Sequence, residues 1–341
     1  MIKRLPMANT PKIPLARYMK EVKDSAKVPP MAVSAAAGIS VRHPSAAAGF
    51  PRRISLDDWL AAAPQQITEL TIPAGYHSAE PVLVTGPANG GGLLLIHVGA
   101  GAQVALQERW PSGGQTLGVG VQVDVAEDAH VDWLTYDSFQ AKMVLVSRTA
   151  ALADRATLNW TLAGFAQNSG ATLINVNLRG TGAQATVNVG VLASGTQHVG
   201  YTTAMTNYGR KSKGHINQRG VIVGKAHLIF NGIGHIIKGA RGSDNQQENR
   251  VLMLGQDSRG DADPILLIDE NDVTAGHAAS VTRVDQTQLY YLMSRGLPKA
   301  LAQRLVIRGF LEAGLLEITD KDLKADLFKQ IDETLVNPDG K

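Results

Sequence analysis

Apolar and polar side chains alternate with a period of two along much of the chain between residues 80 and 284. The alternation is clearest in the segments Val121–Val125, Met143–Val146 and Ile174–Leu178. Successive side chains of a β-strand point to opposite faces of a sheet, so this period predicts strands with a buried face. Glycine and aspartate interrupt the alternation at short intervals, which predicts tight turns between the strands.

A longer repeat runs through the same region, in which an alanine is followed by apolar residues two and four positions later. Copies begin at Ala102, Ala129, Ala156, Ala185 and Ala226, with spacings of 27, 27, 29 and 41 residues. A fixed period of this length is typical of a β-helix, in which each coil buries its inner face only against its neighbours. The long last spacing predicts an insertion near Asn207–Lys213. An antiparallel sandwich is the alternative, but its turns recur about every 8–12 residues.

After residue 284 the period becomes helical. Asp285 is placed to cap a helix Gln286–Arg295, which ends at Gly296. Pro298 opens a second helix that runs to residue 310. A third helix begins near residue 320 and carries an apolar stripe with a spacing of four. The stripe consists of Leu323, Leu327, Ile331 and Leu335.

The N-terminal region has a different character. Residues 1–53 are rich in proline, alanine, serine and basic residues, and only Leu15–Val22 shows weak helical periodicity. We expect a loosely ordered arm, followed by a short helix that begins after Ser55. The sequence thus predicts three parts: an N-terminal arm with a short helix (1–79), a β-helix core (80–284) and a C-terminal helical subdomain (285–341).

Composition excludes several classes of protein. Of the 341 residues, 44% are hydrophobic and 18% are charged, a balance typical of a globular protein. The formal net charge of +3 is too small to argue for nucleic-acid binding. No apolar run is long enough to span a membrane, and the basic N-terminus lacks the apolar stretch of a secretory signal, so we expect a cytoplasmic protein. The absence of cysteine excludes disulfides and any cluster held by the chain's own thiolates.

Two glycine-rich segments resemble nucleotide-binding motifs but lack features that those motifs require. The glycines Gly180 and Gly182 precede an alternating strand pattern, so no helix N-terminus follows them to bind a pyrophosphate. Gly220–Lys225 is one residue too short for a P-loop, and Ala226 stands where that loop needs serine or threonine. We expect neither segment to bind a nucleotide.

An acidic segment contains Asp261, Asp263 and Asp269. It lacks the glycine and glutamate that an EF-hand loop requires at fixed positions, so we expect a solvated turn. Paired carboxylates also cleave glycosidic bonds, and a β-helix lyase or hydrolase that acts on carbohydrate is therefore the alternative function. The aromatic content of 5% argues against it, because few rings are available to stack on sugars.

One histidine is a candidate metal ligand. Imidazole is the best soft-metal ligand in a chain without cysteine. His277 follows Gly276 and is flanked by Ala275 and Ala278, and these small neighbours leave its ring accessible. His227, in contrast, falls inside a predicted strand, where we expect only a wall or surface role.

A series of motifs in fixed order occupies the C-terminal part of the chain. They are Asp261–Ile268, Asn271–Val273, His277 and Tyr291–Gly296. This order resembles the C-terminal signature of the SufB/SufD family of iron–sulfur cluster assembly proteins. Further landmarks that resemble the family are Gln197–His198, Phe230–Gly232, Asp244–Asn249, and, near the N-terminus, Gly49–Arg53 and Trp59.

The resemblance implies a right-handed parallel β-helix and a non-enzymatic scaffold subunit. It implies a SufB-like partner bound through the β-helix and a SufC-like ATPase bound by the C-terminal helices, while the isolated chain could form a homodimer. His277 would lie where the two β-helix subunits meet, and iron or an iron–sulfur cluster would be held only transiently, shared with the SufB-like partner. The residues expected to dock the ATPase are Tyr290, Tyr291, Ser294, Arg295, Gly296, Leu301 and Leu305.

Two departures from the family pattern place the chain on the SufD-like branch. Ala275 stands where members often have a cysteine, two residues before the histidine. The SufB branch also supplies a thiolate to the cluster, which a chain without cysteine cannot do. We therefore expect no enzyme activity and no cofactor held by this chain alone. Packing inside the helical subdomain is the alternative role for Leu301 and Leu305.

Overall fold

The computed structural model describes residues 30–34, 37–44, 67–313, 315, 318 and 320–336. In these residues eighteen β-strands are followed by three α-helices. The predicted helical segment Leu15–Val22, the helix after Ser55 and the N-terminal motif with Trp59 lie outside the described residues.

The strands range from three residues in β1 and β2 to thirteen in β7 and β9, and those from β11 onward all have ten. Their bounds are β1 (Ala32–Ser34), β2 (Ser40–Arg42), β3 (Ile67–Ile72), β4 (Val82–Thr85), β5 (Gly92–Val98), β6 (Gln103–Trp110), β7 (Gly113–Val125), β8 (His130–Asp137), β9 (Gln140–Leu152), β10 (Thr157–Gly164), β11 (Ser169–Leu178), β12 (Gln184–Ala193), β13 (His198–Asn207), β14 (Lys213–Ile222), β15 (His227–Ile236), β16 (Asp244–Met253), β17 (Arg259–Ile268) and β18 (Thr274–Arg283). The helices are α1 (Gln286–Ser294), α2 (Lys299–Glu312) and α3 (Lys321–Val336).

The strands form two nine-stranded sheets with the apolar core between them. The even sheet has the order β1-β4-β6-β8-β10-β12-β14-β16-β18, and the odd sheet has the order β2-β3-β5-β7-β9-β11-β13-β15-β17. From β3 onward the chain changes sheet after every strand, so β3–β18 build about eight two-stranded coils. The sheets begin upstream of residue 80, the start of the β-helix core predicted from the sequence. Pairing between these coils is parallel, whereas β1 and β2 pair antiparallel at one end. The predicted β-helix is confirmed, and the antiparallel sandwich is wrong.

A residue with left-handed backbone occupies the same place in seven stacked turns. The seven residues are Gly75, Gly101, Asp128, Arg155, Gly182, Lys211 and Gly242. The N–H group of each donates to a carbonyl of the next turn, at 2.6–3.0 Å. Side chains disfavour this conformation, yet Asp128, Arg155 and Lys211 adopt it with φ angles of 58°, 54° and 54°. The stacking of the turns therefore offsets a local conformational cost.

The structure overturns one feature of the predicted repeat. Ala226 precedes β15, a strand of the odd sheet, and is not a fifth copy of the even-sheet motif. The register of β10 and β12 likewise makes Ala183, and not Ala185, the counterpart of Ala156. The segment Asn207–Lys213 is therefore an ordinary turn of the coil and not an insertion. Alanine misled the prediction because it recurs at both corners of the coil, where Ala183 and Ala226 are fully buried.

The interior is apolar through most of the coils but encloses one cluster of charged side chains. Parallel register stacks like side chains on one another, and the indoles of Trp133 and Trp160 lie 4.3 Å apart with 7° between their planes. Nearby, Arg148 donates to both oxygens of Asp137, at 2.6 and 3.1 Å, and lies 3.5 Å from Glu108. These three side chains are at most 2% exposed. Burial raises the pKa of Asp137 to about 6, because desolvation outweighs the opposing effect of Arg148, and the nearby Glu108 carboxylate adds a smaller increase.

The helices cover the outer face of the even sheet. Leu289 of α1, Ile307 of α2 and Leu323 of α3 join one buried cluster with residues near the ends of the even strands. Those sheet residues are Tyr136, Ala163, Leu192, Val221 and Leu252. None of the described helices is both long and apolar enough to cross a bilayer.

The predicted caps of α1 and the predicted start of α3 are confirmed, whereas α2 runs two residues beyond its predicted end at residue 310. Asp285 caps α1 by accepting a hydrogen bond of 2.8 Å from the Thr287 N–H group, and Gly296 follows its end with a φ of 89°. Asp320 accepts from the first N–H groups of α3 at 3.0 Å, which helps to hold its pKa below the ordinary value. In the predicted stripe, Leu323, Leu327 and Ile331 are buried.

We expect Gly209→Ala to destabilise the solenoid. A Cβ atom at Gly209 would lie 1.8 Å from the Gly180 carbonyl oxygen in the neighbouring turn, and this backbone contact cannot be relieved by a rotamer change. The free energy of unfolding, measured by denaturant titration, should fall by at least about 2 kcal/mol. Gly309→Ala is the control, since nothing lies within 4 Å of the added Cβ and a helical alanine should raise stability by up to about 1 kcal/mol. A Gly209→Ala protein as stable as the parent would contradict the turn stacking.

We also expect stability to depend on pH through Asp137. Its folded pKa of about 6 exceeds the ordinary value of 3.8, so the proton-linked stabilisation is complete below the lower value and is lost as the pH rises through the higher one. This group should lower the free energy of unfolding by up to about 3 kcal/mol between acid and neutral pH. Denaturant titrations across this range should show a shallower pH dependence for Asp137→Asn than for the parent. Identical dependences would mean that Asp137 holds no such proton.

Candidate functional site

The last coil of the solenoid has no further coil stacked on it in the described part of the chain. β17 and β18 are the terminal strands of their sheets, so each presents an unpaired edge of ten residues. Ile268 and Val281 on these strands are 40% and 38% exposed, whereas the preceding coil is mostly buried. Unpaired edges of this length are templates for pairing with another chain.

The two edges differ in the N–H groups that they offer. In β18 the N–H groups of Thr274 and Val284 point back to β16, so those of the odd-numbered residues between them face the open edge. In β17 the N–H groups of Arg259 and Asp269 point back to β15, which places Pro264 at an open-edge position. Proline has no N–H group to donate, so the β17 edge is interrupted in its middle. The donor row of β18 is continuous.

His277 lies in the middle of β18, at the mouth of the solenoid interior. It pairs in register with Gln247 of β16, so both side chains belong to the same inward-facing column. Gln247 is only 4% exposed, whereas His277, one coil further out, is exposed. The adjacent inward positions hold Ala275 and Ala279, and no hydrogen bond or ion pair joins the imidazole to a described residue. Both ring nitrogens are thus open to a ligand from outside.

Beneath His277 the interior changes from aliphatic to polar. The amide cluster consists of Asn245, Gln247 and Asn249, all inward-facing on β16 and nearly fully buried. Their partners are Asn207 at 2.7 Å, the Ile265 carbonyl at 2.9 Å and Gln218 at 2.9 Å, respectively. A Cβ atom at Gly232 would lie 2.2 Å from Gln247, and one at Gly234 would lie 2.4 Å from Asn245. The two glycines of β15 therefore make room for the amides.

The amide cluster was not predicted from the sequence, although a signal was present. The motifs that contain Gly232 and Asn245–Asn249 resemble the family in residue types alone, and residue types do not show which way the side chains point. At alternate positions of β16, polar residues replace the aliphatic residues that the repeat requires. Glycines occupy alternate positions of β15, on the opposite side of the interior. Recognising them as inward-facing required the strand register.

Two other histidines, both on β15, face carboxylates of β17 and of the turn that follows it. His227 Nε2 lies 2.7 Å from an oxygen of Asp261, and His235 Nε2 lies 3.1 Å from an oxygen of Asp269. His227 therefore has a specific partner. Asp261 and Asp269 each face a histidine, which differs from the pair of opposed carboxyl groups that glycoside cleavage requires. Among the described residues, no group of three or more histidine, aspartate or glutamate side chains is arranged to hold a metal ion.

A second exposed surface lies on the helices. This helical patch comprises Tyr290, Tyr291, Met293 and Leu305, which are 75%, 57%, 42% and 44% exposed. Ser294 Oγ donates to the Tyr291 carbonyl at 2.7 Å, and the guanidinium of Arg295 lies 5.3 Å from the Tyr291 ring centre. Of the remaining residues predicted to dock an ATPase, Gly296 ends α1 and Leu301 is half-buried. Met293 is a member of the patch that the prediction omitted.

Comparison with known proteins identifies the family. The family model described as SUF system FeS cluster assembly, SufBD core domain matches residues 89–310, which is more than half of the chain. The chain belongs to this family. The family predicted from the C-terminal motifs is thereby confirmed.

Two relatives illustrate the relationship. The chain is 43% identical over 215 residues to the iron-sulfur cluster assembly protein SufD of Bacillus subtilis, covering 62% of this chain and 49% of that protein. It is 30% identical over 193 residues to an iron-sulfur cluster assembly SufBD family protein of Mycobacterium leprae, covering 56% of this chain and 22% of that protein. The chain thus spans about half the length of the first relative and less of the second. The Bacillus relative carries the name of the predicted branch.

Several family landmarks outside the last coil have structural roles in this member of the SufBD family. The side chain of Gln197 donates to the carbonyls of Ala166 and Asn168 at 2.9 and 2.8 Å, and it accepts from the Ser194 N–H group at 2.7 Å. Phe230 is fully buried in the core. Packing and turn geometry explain these residues, whereas they do not explain the exposed His277.

Proposed function

We propose that this chain is a non-catalytic scaffold subunit of an iron–sulfur cluster assembly complex, and that its last coil pairs with a SufB-like subunit. The observation that carries the proposal is the continuous open edge of β18, which lies at the mouth of the interior beside His277. Membership of a family of cluster assembly proteins supplies the context. We place the complex in the cytoplasm, as expected from the sequence.

Pairing would occur by strand addition. A strand of the partner would continue the even sheet beyond β18, because backbone hydrogen bonds supply affinity that depends little on the side chains. The partner would cover the small and apolar inward residues Ala275, Ala279 and Val281. Pro264 disfavours the same event at β17. Without a partner, the β18 edge is available to a second copy of this chain, so we expect the isolated protein to form a homodimer.

His277 would contribute an imidazole to the interface. Iron or an iron–sulfur cluster is cargo in this proposal and is held only transiently between the subunits. Thiolate ligands would come from the SufB-like partner, because none of the 341 residues is cysteine. Neutral imidazole is a good ligand for iron, and the small residues around His277 leave its ring nitrogens accessible to cargo at the interface.

The helical patch is the surface that we assign to a SufC-like ATPase. Exposed aromatic side chains such as Tyr290 and Tyr291 are typical anchors of protein interfaces. Only Val284 and Asp285 separate β18 from α1. A displacement of α1 by the ATPase would therefore reach the last coil through a two-residue link.

We expect His277→Ala to abolish cluster formation by the assembled complex while leaving the fold intact. The exposed ring has no hydrogen bond or ion pair with a described residue, so its removal should cost at most about 1 kcal/mol. Thermal unfolding, co-purification with the SufB-like partner and transfer of clusters to an apo-protein measure the three properties. The control is His227→Ala, which loses the contact with Asp261 and should lower stability by about 1 kcal/mol but leave cluster delivery unchanged. Normal delivery by a folded His277→Ala complex would refute the assigned role.

The pairing surface is tested by Ala279→Pro. The N–H group of Ala279 faces the open edge, so proline there should spare the bonds to β16 and remove a donor from the interface. We expect the variant to fold, to lose the homodimer in light scattering, and to lose the SufB-like partner in co-purification. A folded Ala279→Pro protein that retains the partner would show that β18 is not the pairing edge.

Docking of the ATPase should depend on the helical patch. We expect Tyr290→Ala combined with Leu305→Ala to weaken co-purification of the SufC-like subunit by about tenfold or more, since both side chains are exposed and large. Val336→Ala is the control, because Val336 is 82% exposed near the end of α3, outside the patch. Unaltered binding by the double variant would place the ATPase elsewhere.

A further inference from the structure

Three successive turns of the solenoid carry a row of exposed cations. The basic ridge consists of Arg179, Arg210, Lys211, Lys238 and Arg241, in the turns that precede β12, β14 and β16. These turns are stacked, since the N–H group of Gly182 donates to the Arg210 carbonyl at 2.8 Å and that of Lys211 donates to the Arg241 carbonyl at 2.9 Å. Stacking places the backbones of neighbouring turns about 4.8 Å apart, so the cations project from adjacent layers.

The ridge is largely without neutralising partners in the described part of the chain. Only Arg241 lies within salt-bridge distance of a described carboxylate, at 3.4 Å from Asp272. The flanking turns differ, because Arg155 pairs with both Glu127 and Asp128 in the turns on one side. Like charges in adjacent layers repel one another, so this arrangement lowers stability unless an anion binds there.

The basic ridge lies away from the open edge of β18 and from the helical patch. The cations lie where the even strands begin, whereas the helices pack near the ends of those strands, at residues such as Val221 and Leu252. The ridge is also set back from the open edge of β18, since the acidic turn Asp269–Val273 comes between them. A ligand on the ridge would leave both assigned surfaces free.

We propose that the basic ridge docks an acidic α-helix of a partner protein. Side chains three or four residues apart on one helical face have Cβ atoms about 5–6 Å apart, which is close to the spacing of the stacked turns. Three turns span about 10 Å, or two turns of a helix. An acidic helix laid across the turns would therefore bring one carboxylate to each layer of cations.

The boundaries of the ridge disfavour a nucleic acid as the ligand. A nucleic-acid backbone carries its charge continuously and would run beyond the three basic turns. On one side it would meet Asp128 and Asp154, and on the other side Asp269, Glu270 and Asp272. A short acidic segment ends where these carboxylates begin. The net charge of +3 agrees with a local binding surface.

The test uses two fluorescent helical peptides of identical composition on the full chain. One carries glutamates at positions i, i+4 and i+8 on a single face, and the other distributes the same glutamates around the helix. Fluorescence anisotropy should show that the single-face peptide binds more tightly at low salt and is released at high salt. Arg179→Glu combined with Arg210→Glu should weaken that binding by about tenfold.

Lys142→Glu combined with Lys329→Glu is the matched control, since both lysines are exposed, lie away from the ridge and change the net charge equally. This control should bind the single-face peptide as the parent does. If the two double variants weakened peptide binding equally, net charge alone would explain the loss of binding, and the proposal would be overturned. Equal binding of the two peptides, or tighter binding of a single-stranded oligonucleotide, would also overturn it. None of these outcomes depends on the partners assigned to β18 and to the helical patch.

Discussion

The register between neighbouring coils is the constraint on which the rest of this structure depends. Each strand lies beside its counterpart one coil away, and the turns repeat the match through N–H groups of left-handed residues such as Asp128 and Lys211. A slip of one residue would turn every inward side chain outward. The register therefore determines that Trp133 stacks on Trp160 and that His277 lies above Gln247.

The candidate site follows from the same rule applied where the stack ends. His277 occupies a position that is buried in every earlier coil, and it is exposed only because no coil follows β18 in the described residues. A continuous row of free N–H groups occurs beside it for the same reason. The proposed interface and the candidate ligand thus both result from the end of the coil stack. The helical patch has a different origin, since α1 and α2 bury one face on the even sheet and leave the other exposed.

Local chemistry made much of this predictable from the sequence. Asp285 and Gly296 mark the ends of α1 by their own hydrogen bonds and backbone preference, and the alternation of apolar residues marks the strands. The partners of a strand are less predictable, because they lie about thirty residues away and depend on which sheet the strand joins. Alanine at both corners therefore produced a false insertion at Asn207–Lys213. The amide cluster was missed for the same reason: Asn245 is recognisable as an interior residue only once Gly234 is known to lie opposite it.

The change from an aliphatic to an amide interior affects how the solenoid opens. The coils around Trp133 and Trp160 are held by apolar burial, whereas the coils around Gln247 and Asn249 depend more on directional hydrogen bonds. Regions with little apolar burial open locally at a lower free energy than the whole fold. The final coils should therefore form a separate cooperative unit, whose backbone amides exchange with solvent before those of the central coils. A subunit that covers β18 would order this unit as it binds, so that assembly and the last step of folding become one event.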